Sequence, residues 1–168
     1  MYQDPAKISP ENSLKAAQLL TVVLTASPIT FGVAAVFLAL GEEPQIDPQW
    51  SYIAAVGTVL DIFLWLIVPN LVADADRRRL QQLEGTPQEI EEKRQGALHQ
   101  IYLKRQLIGL VLLEAAALIN IVFFFLSSQP WLLALSSLPI AMMAASFPWR
   151  ERVELWVQEQ AHLLDMRR

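Results

Sequence analysis

Apolar residues are collected into four long stretches, and polar residues gather between them. The stretches run from about 14 to 40, 51 to 72, 107 to 126 and 130 to 147. A helix crosses the hydrocarbon layer with about 20 mostly apolar residues, and each stretch reaches or approaches that length. Four such stretches in one soluble chain would leave too little polar surface. The pattern therefore predicts an all-α fold, an integral membrane four-helix bundle forming a single membrane domain over residues 1–168. The first stretch is too long for the apolar core of a signal peptide and reads as a retained span.

The polar segments are patterned too. Gly85 suits the end of a helix, because glycine takes the left-handed cap conformation cheaply. Thr86-Pro87-Gln88-Glu89 is a capping box with proline at the first helical position. From Pro87 the helical pattern continues without a break into the third stretch. Residues 73–106 are thus expected to form a helical hairpin, either a solvated stalk or a docking surface for a soluble partner. Ser9-Pro10-Glu11 reads as a further helix start. Phe147-Pro148-Trp149 predicts a bend, followed by an amphipathic helix over 149–166. Val153, Trp156, Val157 and Leu164 share one side of that helix, which suits the membrane interface; packing on the hairpin is the alternative.

Composition narrows the function classes. Hydrophobic residues make up 54% of the chain and charged residues 18%, and the mean hydropathy is +0.33. The net charge of -4 offers a nucleic-acid backbone little attraction. Cysteine is absent, which removes disulfides, thiolate metal sites and cysteine nucleophiles. His99 and His162 are the two histidines, and both read as surface residues outside the spans. No phosphate-binding loop, zinc-protease motif or serine elbow occurs. The expectation is a non-enzymatic protein with no cofactor and no metal.

Charge also gives a direction. All 13 lysines and arginines lie in the N-terminal arm, the 73–106 segment or the C-terminal tail. The other two connections have none, and one carries Glu42, Glu43 and Asp47. Lys and Arg favour the cytoplasmic side. Both termini and the hairpin are therefore expected in the cytoplasm of a bacterium, with the spans in its inner membrane. Trp50, Tyr52 and Trp131 mark the outer boundary, and Trp149 and Tyr102 the inner one. Arg77-Arg78-Arg79 serves as a topology anchor within reach of anionic headgroups.

Two acids fall inside the spans, Asp61 near the middle of the second and Glu114 near the middle of the third. A central Asp costs roughly 2.5–3.5 kcal/mol on insertion scales, so both are expected to face protein. Ala54, Gly57, Thr58, Asp61 and Trp65 share a face of span two. Gln18, Thr21, Thr25, Pro28, Gly32 and Ala35 make a similar stripe on span one, and Ala134, Ser137, Ala141 and Ala144 one on span four. Asp61 and Glu114 have no cation at their depth. They are expected to hold a proton, bind an ion or hydrogen-bond to Thr58, Thr25 or Ser137. Gly32 and Gly57 are helix-contact candidates. Gly109, Ala116 and Asn120 occupy a different face of span three from Glu114, a second contact surface for self-association or a partner subunit.

The segment Leu110-Val111-Leu112-Leu113-Glu114-Ala115-Ala116-Ala117-Leu118 resembles the ion-carrying helix of rotary ATPase proteolipid (c-ring) subunits. That resemblance covers one helix and implies Glu114 as a proton or sodium carrier. The chain lacks the glycine-rich partner helix of those proteolipids and adds a charged hairpin and Asp61. As a whole it looks like small uncharacterised bacterial four-span membrane proteins with a basic entry to span three, here Lys104-Arg105-Gln106. They also share a charged tail after span four, here beginning Phe147-Pro148-Trp149-Arg150. That likeness implies topology and no activity. Two functions follow as expectations. One is an accessory or assembly subunit of a larger inner-membrane complex, its partners being the bilayer and other membrane subunits or itself. The other is a small oligomeric protein that handles protons or sodium through Asp61 and Glu114.

Overall fold

The computed structural model describes residues 10–40, 43–80 and 87–166. Among them the chain is all-helical, with no strand. The helices are α1 (Pro10–Ala39), α2 (Ser51–Leu80), α3 (Pro87–Ser127), α4 (Trp131–Ala145) and α5 (Arg150–Asp165), with a short 3₁₀ turn at Pro48–Trp50 before α2. The expected turn at Gly85 and the caps at Ser9 and Thr86 lie outside the described residues.

Three helices, α1, α2 and α3, are long and apolar enough to cross a membrane. At 1.5 Å per residue α1 and α2 are each about 45 Å long and α3 about 60 Å. The fourth apolar stretch gives a shorter helix: α4 has 15 residues, about 22 Å at that rise. It bends by 73° into α5. The break falls where Pro148 cannot continue the helix.

α3 is the hub. In its most apolar stretch 44% of residues are buried, against 11% for α1 and 17% for α2. α1, α2, α4 and α5 all pack on it, and α4 also touches α1 and α2. Three apolar layers set the directions. At one end Ala73, Leu98, Ile101, Tyr102, Val153 and Val157 form a cluster, with Leu14 and Leu80 against it. In the middle are Leu110, Leu113 and Met143, with Leu24 and Trp65. At the far end are Ala35, Ala54, Ile121, Phe124 and Leu132. α1 and α3 therefore run in one direction, α2 and α4 in the other. The described lysines and arginines lie toward the first end.

Outside these layers the surface is oily. Leu19 and Phe37 on α1, Val59 and Phe63 on α2, Val111 on α3 and Leu138 on α4 are all exposed. An apolar surface this continuous exceeds what a soluble monomer presents. The amphipathic helix α5 packs its Val153, Val157 and half-buried Trp156 on Tyr102 and Ala73, against the extensions of α2 and α3. These three residues of its apolar face are thus spent on protein, and the Leu164 side chain lies outside the described residues.

Polar backbone is satisfied at the end of α3 and at the α4–α5 elbow. The Leu126 carbonyl at the end of α3 accepts from Gln45 N (2.8 Å) and Ile46 N (3.2 Å) of the α1–α2 connection. At the α4–α5 elbow, Gln18 Nε2 donates to Pro148 O (3.2 Å), Gln106 Nε2 to Ser146 O (2.8 Å) and Arg152 Nη1 to Ala145 O (3.0 Å). Side chains from α1, α3 and α5 thus hold one bend.

Candidate functional site

The polar centre of the bundle is Thr58 with Asn120. Both side chains are buried, at 1% and 0% exposure. Thr58 donates its hydroxyl proton to Ala54 O one turn back (2.9 Å), the usual escape for a threonine inside a helix. Its oxygen remains free to accept, and Asn120 Nδ2 donates to it at 2.8 Å and to Ala116 O at 3.0 Å. Asn120 Oδ1 is buried with no partner. Buried Ser136 is at the same level on α4, between Leu132 above and Met143 below, and it donates to Leu133 O (2.8 Å).

Glycines fix how the helices approach. A Cβ on Gly109 would sit 3.2 Å from Trp65 Nε1 and 3.7 Å from the Pro69 ring, so α2 and α3 touch there without room for a side chain. A Cβ on Gly32 would meet Ile121 Cδ1 at 3.5 Å, an ordinary contact. A Cβ on Gly57 would meet nothing within 4 Å.

Asp61 and Glu114 are both half-buried. Among the described residues neither is joined to the other, or to any side chain, by a hydrogen bond or ion pair. The helix registers explain the separation. Gly32 faces Ile121 on the parallel pair α1 and α3. Stepping back seven residues, two turns on each helix, leads to Thr25 and Glu114. Glu114 therefore lies on the flank of α3 nearer α1. Gly109 and Asn120, which meet α2, are roughly 120–140° away around α3 at 100° per residue. Asp61 comes in on that other side.

Of the side chains expected around the acids, Thr58 is engaged with Asn120. Thr25 keeps a buried hydroxyl oxygen without a partner, at the depth of Glu114. Ser137 is exposed and donates to Ala134 O (2.6 Å). The expected inner stripe of α4 is corrected with it: Ala134, Ser137, Ala141 and Ala144 face outward, and Leu132, Ser136, Pro139 and Met143 face in. Leu132 and Met143 fill the space beside α3, and the three alanines lie outside. The proposed second surface of span three is also reassigned. Gly109, Ala116 and Asn120 are buried against α2 within the same chain, so they are not a free face. Ser136 was missed because Ser136 and Ser137 are neighbours and only the packing of α4 distinguishes them.

Among the described residues no group of three His, Asp or Glu is placed to hold a metal ion. No arrangement of nucleophile, base and histidine occurs at the polar centre. What the structure defines is an all-helical protein with long helices apolar enough to cross a membrane. No protein-family model matches the chain, and neither the curated proteins nor the solved structures contain a match.

Proposed function

We propose that this chain is a non-enzymatic four-span protein of the bacterial inner membrane. It acts as an accessory or assembly subunit by lateral association with other membrane helices. The observation that carries this reading is the flank of α2 made by Ile53, Gly57, Asp61 and Leu64. Ile53 and Leu64 are exposed at 52% and 41%. Asp61 between them has no partner among the described residues, and nothing covers Gly57 within 4 Å. A carboxyl beside lipid costs a few kcal/mol, and a glycine one turn away lets another helix backbone approach closely enough to share its hydrogen bond. The experiment is mass measurement of the protein purified in mild detergent, with and without substitutions on this flank.

In this reading α4 is the fourth span, completed by the residues around the elbow, and the end carrying the basic residues faces the cytoplasm. The chain has no native cysteine, so single cysteines report cleanly. An impermeant thiol reagent added to intact cells should label Gln45→Cys and leave Glu159→Cys untouched; the reverse pattern would overturn the orientation. Proton or sodium handling is the weaker reading, because it needs Asp61 and Glu114 at one site and the helix registers support two separate ones.

A further inference from the structure

The basic side chains of the foot divide into two kinds. Lys15, Arg77, Arg79, Lys104 and Arg150 each reach a carboxylate: Glu11, Asp74, Asp76, Asp76 again and Glu154. Arg78, Arg105 and Arg152 reach none among the described residues. Arg105 and Arg152 line one cavity of about 300 Å³ at the foot of α2, below the α4–α5 elbow, and Arg78 lies outside it. Among the described residues no Asp or Glu lines it. Two cations facing one partly enclosed space repel each other, and an anion there would be favourable for both.

The rest of the wall indicates what sort of anion. Asn70, Gln106 and Ser146 add uncharged polar groups beside the arginines. Arg105 Nε donates to Asn70 Oδ1 (3.2 Å), and its guanidinium carbon is 5.9 Å from the Trp156 ring centroid. Arg152 is held by its bond to Ala145 O. Each arginine thus spends one N–H on a hydrogen bond and retains further donors. On the side toward the spans the lining turns apolar, with Trp65, Leu66, Pro69 and Leu110. Leu66 is 55% exposed and Asn70 is exposed too, so the cavity opens sideways along α2, across the surface that the bilayer would cover.

We propose that this cavity binds the phosphate of an anionic phospholipid, with Arg105 and Arg152 on the phosphate and the acyl chains running along Leu66 and α2. Arginine's planar fork matches phosphate oxygens, and basic pockets between helices at the membrane face suit such headgroups. Tyr102 and Trp156 flank the site with rings of the kind that settle at headgroup depth. The inference rests only on that part of the proposed function in which α2 and α3 cross the bilayer; it is independent of the α2 flank and of the partner.

The test is native mass spectrometry of the full chain released from detergent after mixing with dioleoyl phosphatidylglycerol or dioleoyl phosphatidylcholine. One phosphatidylglycerol should be retained per chain, at least tenfold more tightly than phosphatidylcholine. Arg105→Gln and Arg152→Gln should each lose that preference by about tenfold. Arg78→Gln, an exposed arginine with the same charge change, should stay within twofold. Helix content by circular dichroism identifies any variant that has unfolded, and the Arg105→Lys variant, which keeps charge without the fork, should fall between. Equal retention of the two lipids, or equal loss in Arg78→Gln, would overturn the site. Inorganic phosphate alone, competing as well as the lipid at equal concentration, would overturn the lipid as the source. Alkaline carbonate extraction of native membranes is run in parallel: release of the chain would sink the membrane reading itself, whereas a retained chain without lipid preference would sink only this site.

Discussion

Asn120 donates an amide hydrogen to the hydroxyl of Thr58 across the α2–α3 contact, at 2.8 Å and with both side chains fully enclosed. The bond ties two antiparallel helices at one register. In an apolar surrounding each group would otherwise lose a partner. Hydrogen bonds between membrane helices are worth about 0.6 kcal/mol on average and up to about 1.7. Thr58→Val should therefore cost about 1 kcal/mol, measured by reversible unfolding in mixed micelles. Asn120→Leu also removes the unpartnered Oδ1, so the Thr58→Val/Asn120→Leu pair should cost clearly less than the two single changes added together. Strict additivity would show that the bond contributes nothing.

At Gly109, α2 and α3 pack with no room for a side chain. With Trp65 Nε1 3.2 Å from a would-be Cβ, Gly109→Ala requires Trp65 to shift a little, and Gly109→Leu requires the helices to part. The expected loss is about 1–3 kcal/mol for the larger change, in the range of core overpacking. The same mixed-micelle unfolding measures it. Gly57→Leu, by contrast, enters open space and should leave the stability of the single chain within about 0.5 kcal/mol of the parent, the range of changes away from packed features. Equal damage at the two glycines would contradict the packing described.

Ser128, just past the end of α3, has φ of 53°, the left-handed region that costs a side-chain-bearing residue about 1 kcal/mol. Its N–H still donates to Phe124 O (2.8 Å) and closes the helix. Ser128→Gly should raise stability by about 0.5–1 kcal/mol, and Ser128→Val should lower it by more, since a β-branched residue tolerates positive φ poorly. A stabilising valine would contradict this backbone conformation.

The three long helices were legible because length and apolarity alone define them, and the unbroken run of α3 from Pro87 was legible from its proline and its period. The bend at Phe147-Pro148-Trp149 was also readable, since proline restricts its own residue and the one before it. Which face of a helix turns inward was a different matter. Lipid is as apolar as a protein core, so the sequence of α4 does not mark an inside; its alanines and Ser137 looked like a contact stripe, yet Leu132 and Met143 are the buried ones. The candidate site shows the same boundary. Asp61, Glu114, Thr58 and Asn120 stood out as polar residues in apolar runs, but their pairing depends on register between helices. That register is set by Gly109 against Trp65 and Gly32 against Ile121, contacts between residues far apart in the chain.

Lateral association through the Gly57–Asp61 flank would set the mass of the purified particle. In mild detergent the parent protein should run as an assembly larger than one 18.9 kDa chain, after correction for bound detergent. Gly57→Leu and Asp61→Leu should each shift it to the single-chain mass with helix content unchanged, while Asp61→Asn, which keeps a hydrogen-bonding group, should retain the assembly. A parent particle containing one chain and no other subunit, or an assembly indifferent to both leucine substitutions, would rule out association through this flank.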